Sequence, residues 1–172
     1  MSYGDDIHAA LVAAGVGLVS YVPDAGHRRL IERCQADPSI RTVVLTTEEE
    51  GIALATGAWL GGLRSALLMQ SSGVGNCVNL LSLVRTTGVP FLTIVTMRGE
   101  WGEENPWQLP MGQATPAVLR ECDLVVHRCD DPAEAGETVA AAARLAFGSS
   151  RGVAVLLGQR LVGAKAFVED ER

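Results

Sequence analysis

Apolar residues along the chain fall into two alternating kinds of run: short unbroken stretches rich in valine, isoleucine and leucine, and longer stretches with helical spacing. Ile7 to Ala14 has amphipathic spacing and stops at Gly15-Val16-Gly17, which predicts a first helix. Gly17 to Val22 is apolar and β-prone, Pro23 ends it, and Asp24 stands where it can cap a helix running through Leu30, Ile31 and Cys34 to Ala36. Asp37-Pro38-Ser39 turns the chain into a second strand, Thr42 to Thr47. Glu48, Glu49 and Glu50 then lead a small-residue helix over Gly51 to Gly62. Thr47 and Glu50 read as a capping box, and the three acids suit the positive end of the helix dipole. Ser65 to Gln70 predicts a third strand that breaks at S-S-G-V-G-N, and Asn76 to Thr86 a buried helix. Phe91 to Met97 is a fourth strand. The polar, proline-bearing segment Arg98 to Thr115 is too long for a simple connector and is expected to be functional or an interface. Asp123 to Arg128 reads as a fifth strand, Pro132 to Phe147 as an alanine-rich helix and Val153 to Leu157 as a sixth strand, while the tail after Gly158 shows no clear pattern.

Strands that alternate with helices, each strand nearly continuously apolar, predict an α/β fold of three layers, αβα, with a mainly parallel sheet of about six strands. Ligands meet such sheets at the carboxyl ends of strands, which here supply Pro23-Asp24, Thr47-Glu48, Gln70 to Asn76 and Met97 to Glu100. Gly51, Gly57, Gly61 and Gly62 weaken a helix relative to alanine, so the helix that keeps them is expected to approach another backbone closely, and a homo-oligomer is expected.

Composition narrows the function classes. A chain of 172 residues, 48% hydrophobic, is read as a single domain over residues 1–172 with a sizeable core. A net charge of −6 argues against nonspecific nucleic-acid binding and gives no polybasic membrane signal. The start, M-S-Y-G-D-D-I-H, is acidic, and no apolar run approaches the roughly 18 residues of a membrane helix; the expected location is the cytoplasm. Cys34, Cys77, Cys122 and Cys129 form no C-x-x-C pair and are expected to be buried free thiols, not metal ligands or disulfides.

The strand-end segments carry the candidate chemistry. Q-S-S-G-V-G-N has two open readings: a glycine turn that opens a helix, or a loop presenting backbone N–H groups to a ligand. It is not a dinucleotide fingerprint, because Gly73 and Gly75 lack a third spaced glycine, and neither G-K-[ST] nor G-x-S-x-G occurs. His8 and His127 read as a surface and a strand histidine, while His27, just after Pro23-Asp24, is a candidate for facing the site. Glu103-Glu104 reads as a solvated loop pair. Arg98, at the end of the fourth strand, is a candidate for binding a carboxylate, sulfonate or phosphonate; the alternative is a surface ion pair with Glu100 or Glu103.

T-E-E-E-G-I-A-L-A-T-G-A-W-L, then L-L-M-Q-S-S-G-V-G-N-C-V-N, then M-R-G-E followed by N-P-W-Q-L-P-M-G-Q-A-T resembles the pyrimidine-binding domain of thiamine diphosphate enzymes. Within that group the likeness is to phosphonopyruvate decarboxylases and sulfopyruvate decarboxylase alpha subunits, from about Tyr21 to Thr115. The resemblance implies that a glutamate after the second strand holds the aminopyrimidine ring. Counting back from Gly57 places it at Glu48, and a one-residue shift would make it Glu49. Such a carboxyl shares a proton with the ring nitrogen, so that the imino nitrogen removes a proton from the thiazolium carbon that attacks a 2-oxo acid.

By the same resemblance Pro23 and Asp24 approach cofactor and substrate, and Gln70, Ser72, Gly73 and Asn76 lie beside the pyrimidine. His27 and Arg98, singled out by their places at the strand ends and not by the resemblance, are the other substrate-side candidates with Asp24. Ala25 stands where relatives often carry a hydroxyl, and Trp101 and Trp107 are further departures. No G-D-G occurs, so the diphosphate-binding half and its Mg2+ are expected on a partner beta subunit. The implied activity is decarboxylation of sulfopyruvate or phosphonopyruvate by a split enzyme. A carboligase subunit and a non-catalytic scaffolding subunit remain as alternatives.

Overall fold

The apolar runs become six parallel strands: β1 (Val16–Tyr21), β2 (Arg41–Val44), β3 (Arg64–Gln70), β4 (Phe91–Thr96), β5 (Val125–Cys129) and β6 (Gly152–Leu157). A computed structural model describes residues 2–163 and orders them β2-β1-β3-β4-β6-β5. The connecting helices are α1 (Tyr3–Ala13), α2 (Arg28–Ala36), α3 (Glu48–Leu60), α4 (Ser71–Cys77), α5 (Leu81–Thr87), α6 (Gln108–Glu121), α7 (Ala135–Ser149) and α8 (Gln159–Val162). The expected αβα layering is therefore what the chain adopts. The tail beyond Gly163 lies outside the described residues.

Strand alternation sorts the core into two layers. Ala66 and Leu68 of β3 face Ile7 and Leu11 of α1, Leu30 and Cys34 of α2, and the Val139, Ala142 and Ala146 stripe of α7. Leu67 and Met69, their neighbours along the strand, face Ile52 and Ala55 of α3, Val74 and Cys77 of α4, Leu81 of α5 and Leu119 of α6. Every residue of β4 and β6 is buried, as inner strands covered on both faces require.

Registry aligns the carboxyl ends on one edge: Tyr21 lies opposite Val44 and Leu68, Gln70 opposite Thr96, and Thr96 opposite Leu157. The strand order reverses between β1 and β3, and the helices that follow them go to opposite faces, α2 to one and α4 to the other. A crevice opens where two such connections diverge, between the residues that follow Tyr21 and those that follow Met69.

Several local expectations change. Ser71 to Asn76 is neither a turn nor a loop, because α4 begins at once after β3 and ends at Cys77, leaving a break at 78–80 before α5. Its glycines serve packing: a Cβ at Gly73 would collide with the Glu48 side chain, and one at Gly75 would press on Met111. The long loop ends at Trp107, since Pro110 sits in the first turn of α6, where a missing N–H costs nothing. Strand β5 starts only at Val125, after Asp123 turns the chain with φ 67°. Thr47 makes no side-chain cap, and Glu50 accepts instead from the Thr46 N–H at 2.8 Å. Within α3, Gly51 packs on Leu67 and Leu45, whereas Gly57 faces open space: a Cβ there would meet nothing from outside its own helix within 4 Å among the described residues.

His8 is buried, not a surface residue, and its Nε2 lies 2.9 Å from Asp37 Oδ2, tying α1 to the turn after α2. The four thiols are free, with Cys34, Cys77 and Cys129 buried and Cys122 half-buried. Among the described residues no group of three or more His, Cys, Asp or Glu is placed to hold a metal ion, and no helix is long and apolar enough to cross a membrane.

Candidate active site

The strand-end edge holds two side-chain groups that meet at the head of α4. The first is built on Glu48. Strand β2 pairs with β1 up to the Leu45 N–H, which bonds the Tyr21 carbonyl at 2.9 Å, and Thr46 and the extended Thr47 then deliver Glu48 to the first turn of α3. Its side chain folds inward over Gly73, so the residue is only 8% exposed, while Glu49 and Glu50 point outward. Asn76 Nδ2 donates to Glu48 Oε2 at 2.9 Å. No hydrogen bond reaches Oε1 among the described residues. Beneath the carboxyl lies Cys77, whose thiol is pushed up to about 12 by burial and then by the Glu48 and Glu49 charges.

The second group is centred on Asp24 and Gln70, which close the crevice between β1 and β3. Asp24 Oδ2 accepts from Thr96 Oγ1 at 2.8 Å and from the Gly26 N–H at 3.0 Å, and its Oδ1 accepts from Gln70 Nε2 at 2.9 Å. Gln70 Oε1 in turn accepts from Ser72 Oγ at 2.9 Å and from Gln108 Nε2 at 3.0 Å. Pro23 and Asp24 border an open cleft of about 440 Å³ whose walls include Tyr21, Ala25, Arg28 and Val44. Of the residues singled out from the sequence, Pro23, Asp24, Gln70, Ser72, Gly73, Asn76 and Glu48 are thus brought to one edge.

His27 does not face the cleft as the sequence suggested it could, and Arg98 makes the ion pair with Glu103 that the sequence offered as the alternative, but buried and not at the surface. His27 is wholly buried, with Nε2 3.3 Å from the Met69 carbonyl and 3.1 Å from the Ile94 carbonyl, so Nε2 carries the hydrogen. Burial, above all, holds the imidazole below its ordinary value, against the opposing pull of Asp24 and the two carbonyls. It props the strands from inside and does not open onto the cleft.

Arg98 is no surface cation either. Its Nε lies 3.0 Å from Glu103 Oε2 and its Nη2 3.2 Å from Oε1, with side chains 9% and 1% exposed. Glu103 also accepts from the N–H groups of Gly99 and Asn105 and from Gln159 Nε2 at 2.9 Å. Gln159 Oε1 accepts from the N–H groups of Glu100 and Trp101. The Glu103 carboxyl, far from solvated, is the hub of the loop. Burial alone would raise its pKa, but the Arg98 and Asn105 bonds, with those from Gly99 and Gln159, outweigh it and bring the group from 4.5 down to about 2.

Thr96, Gln108, Glu103 and Gln159 carry the geometry without having been singled out for it. Gln108 lies inside the N-P-W-Q-L-P motif and Thr96 is the last residue of a strand, which are usable signals; Gln159 sits in the tail whose pattern is mute.

Comparison with known proteins bears on the same edge. No protein-family model matches the chain. It is 40% identical over 152 residues to the sulfopyruvate decarboxylase subunit alpha of Methanothermobacter thermautotrophicus, covering 88% of this chain and 92% of that one. The same subunit of Methanococcus maripaludis is 36% identical over 158 residues, covering 91% and 95%. Phosphonopyruvate decarboxylase of Streptomyces viridochromogenes is 38% identical over 141 residues, which is 81% of this chain but 36% of that longer protein. Among solved structures the fold is shared with 2-oxoglutarate:ferredoxin oxidoreductase from Magnetococcus marinus, determined with 2-oxoglutarate, coenzyme A and succinyl-CoA bound. The TM-score is 0.78 at 17% identity, over 94% of this chain and 29% of that one. With relatives this similar along nearly their whole length, the chain belongs to the family of sulfopyruvate decarboxylase alpha subunits.

Proposed function

We propose that this chain is the alpha subunit of a thiamine diphosphate-dependent decarboxylase of sulfopyruvate or phosphonopyruvate, acting in the cytoplasm with a beta subunit that holds the diphosphate and its Mg2+. One observation carries the reading. Glu48 is a nearly buried carboxyl with one oxygen fixed by Asn76, the other without a hydrogen bond among the described residues, and Gly73 beneath it where any larger residue would collide. That arrangement fits an aminopyrimidine, whose ring nitrogen calls for one carboxyl oxygen in a water-poor niche.

When bound, the cofactor supplies the electron sink for the pair of electrons left on the substrate as carbon dioxide departs. Glu48 Oε1 holds a proton toward the ring nitrogen, and Asn76 keeps the carboxyl in one rotamer by occupying Oε2. Asp24, held by Thr96 and Gly26, turns the Gln70 amide, and Asp24 and Pro23 form the wall along which the 2-oxo acid lies. The outward face of α3, with Ala53, Gly57 and the 78% exposed Leu60, is where a second copy of the chain packs.

Coexpression with a beta subunit that carries G-D-G and a downstream asparagine, then assay of carbon dioxide release from a panel of 2-oxo acids, tests the reading. Release from sulfopyruvate or phosphonopyruvate well above pyruvate is expected. Glu48→Gln should nearly abolish both release and deuterium exchange at the cofactor, with the fold kept. A complex that releases carbon dioxide from none of these acids, or that only joins two of them, would overturn it.

A further inference from the structure

Gln108 opens α6, and no step of the proposed reaction uses it. Its Nε2 donates to Gln70 Oε1 at 3.0 Å, while its own Oε1 is buried and meets no donor among the described residues. The polarity of this amide chain is set at its first member. Both Asp24 oxygens accept, from Thr96, Gly26 and Gln70, so Gln70 turns its NH2 to Asp24 Oδ1 and its carbonyl to Ser72 and Gln108. Gln108 must then spend its NH2 on that carbonyl, and its oxygen is left over. Buried acceptors without a donor are costly and are retained where a ligand or ordered water completes them.

Two hydrogen-bonding groups of these two bonded amides are therefore left over. One is the second N–H of the Gln70 amide, since its NH2 makes a single hydrogen bond among the described residues; the other is the Gln108 carbonyl. We propose that Gln108 is a positioning residue that locks the Gln70 amide and, with it, forms a donor–acceptor subsite for an oxygen that both accepts and donates, a hydroxyl or a bound water. This rests on the proposed function, in which Asp24, the partner of the Gln70 amide, borders the substrate cleft. An oxygen that only accepts, as in a carboxylate or sulfonate, meets repulsion from the Gln108 carbonyl, so the subsite directs both anions of the substrate away from Gln108. Ser72, on the other side, holds the Gln70 carbonyl but offers the ligand no acceptor, because its hydroxyl hydrogen is already committed.

The test uses Gln108→Leu, which removes both functions, and Gln108→Glu, which keeps the shape but places a carboxylate against the Gln70 carbonyl. In the chain itself, the side-chain amide signals of Gln70, assigned by their loss in Gln70→Ala, should show slowed hydrogen exchange. That protection should fall about 10-fold or more in Gln108→Leu, with the remaining spectrum retained. In the coexpressed complex, kcat should fall about 10- to 100-fold with KM changed by less than about 3-fold, and Gln108→Asn should restore part of it. Unchanged Gln70 signals in both variants, or an unchanged kcat, would overturn the proposal. A wild-type complex that releases no carbon dioxide would instead strike the decarboxylase reading, while the amide signals would still decide whether Gln108 holds Gln70.

Discussion

Replacing Glu103 by glutamine keeps the outline of the side chain but removes the charge that neutralises Arg98, whose guanidinium is 9% exposed. The descent of the carboxyl from 4.5 to about 2 corresponds, at about 1.4 kcal/mol for each tenfold change in acidity, to at most about 3.5 kcal/mol of stabilisation. Removing one partner of a buried ion pair costs about 3–5 kcal/mol, and glutamine keeps one carbonyl to accept some of the lost bonds, so a loss of about 2–3 kcal/mol is expected. An exposed pair would give under about 1 kcal/mol. The pH dependence has a fixed sign. Because the folded carboxyl is the more acidic one, its contribution is fully present above about 4.5 and is lost as pH falls toward about 2. Urea titrations of the chain across that window should therefore show the wild type losing stability and Glu103→Gln losing less, the two curves converging at the acid end. A double-mutant cycle with Arg98→Met should return a coupling of about 2 kcal/mol. A neutral-pH loss below about 0.5 kcal/mol, or parallel pH curves, would refute the description of Glu103 as the hub of the loop.

Gly73→Ala puts a methyl group into the Glu48 side chain, so it should cost about 1–3 kcal/mol in denaturant titration and lower carbon dioxide release by the complex about 100-fold, by displacing the carboxyl. Gly57→Leu meets open space within the chain and improves helix propensity by about 0.5–1 kcal/mol; sedimentation should nevertheless show loss of self-association, and an unchanged oligomer would remove α3 from the interface. With Cys34 and Cys77 held at about 12 by burial, a disulfide reagent at mildly alkaline pH should modify the half-buried Cys122 first and reach those two only after unfolding, as peptide mapping would show.

Fold and site were legible to different depths. The inner strands β4 and β6 are nearly unbroken apolar runs flanked by turn residues, so the composition that buries a strand on both faces also announces it, as in Phe91–Thr96. The place of the three glutamates at the sheet edge was legible because strand β2 and the small-residue helix bracket them, but only the resemblance favours Glu48, and it leaves Glu49 open; the structure adds that Glu48 is the buried one and Glu49 is exposed. The beginning of α4 was not legible. Glycines at 73 and 75 carry the same signal whether they permit a turn or the close approach of Glu48 and Met111, and only the tertiary contact tells the two apart.

Arg98 shows the same limit acting on chemistry. Its position at the end of β4 follows from the strand, but its role depends on which groups reach the guanidinium first. A free guanidinium offsets the desolvation of a sulfonate or phosphonate; one already bonded to a carboxylate with a 1% exposed side chain does not, because the anion must first displace Glu103. Glu103 cannot leave cheaply, since the N–H groups of Gly99 and Asn105 and the amide of Gln159 would lose their acceptor together with Arg98. Gln159 is remote in sequence, and nothing in the spacing of the loop predicts it. Arg98 therefore acts on the site through geometry: it pins Glu103, Glu103 pins the turn at Asn105, and the Asn105 carbonyl accepts the Gln108 N–H at 3.0 Å at the point where that side chain reaches Gln70.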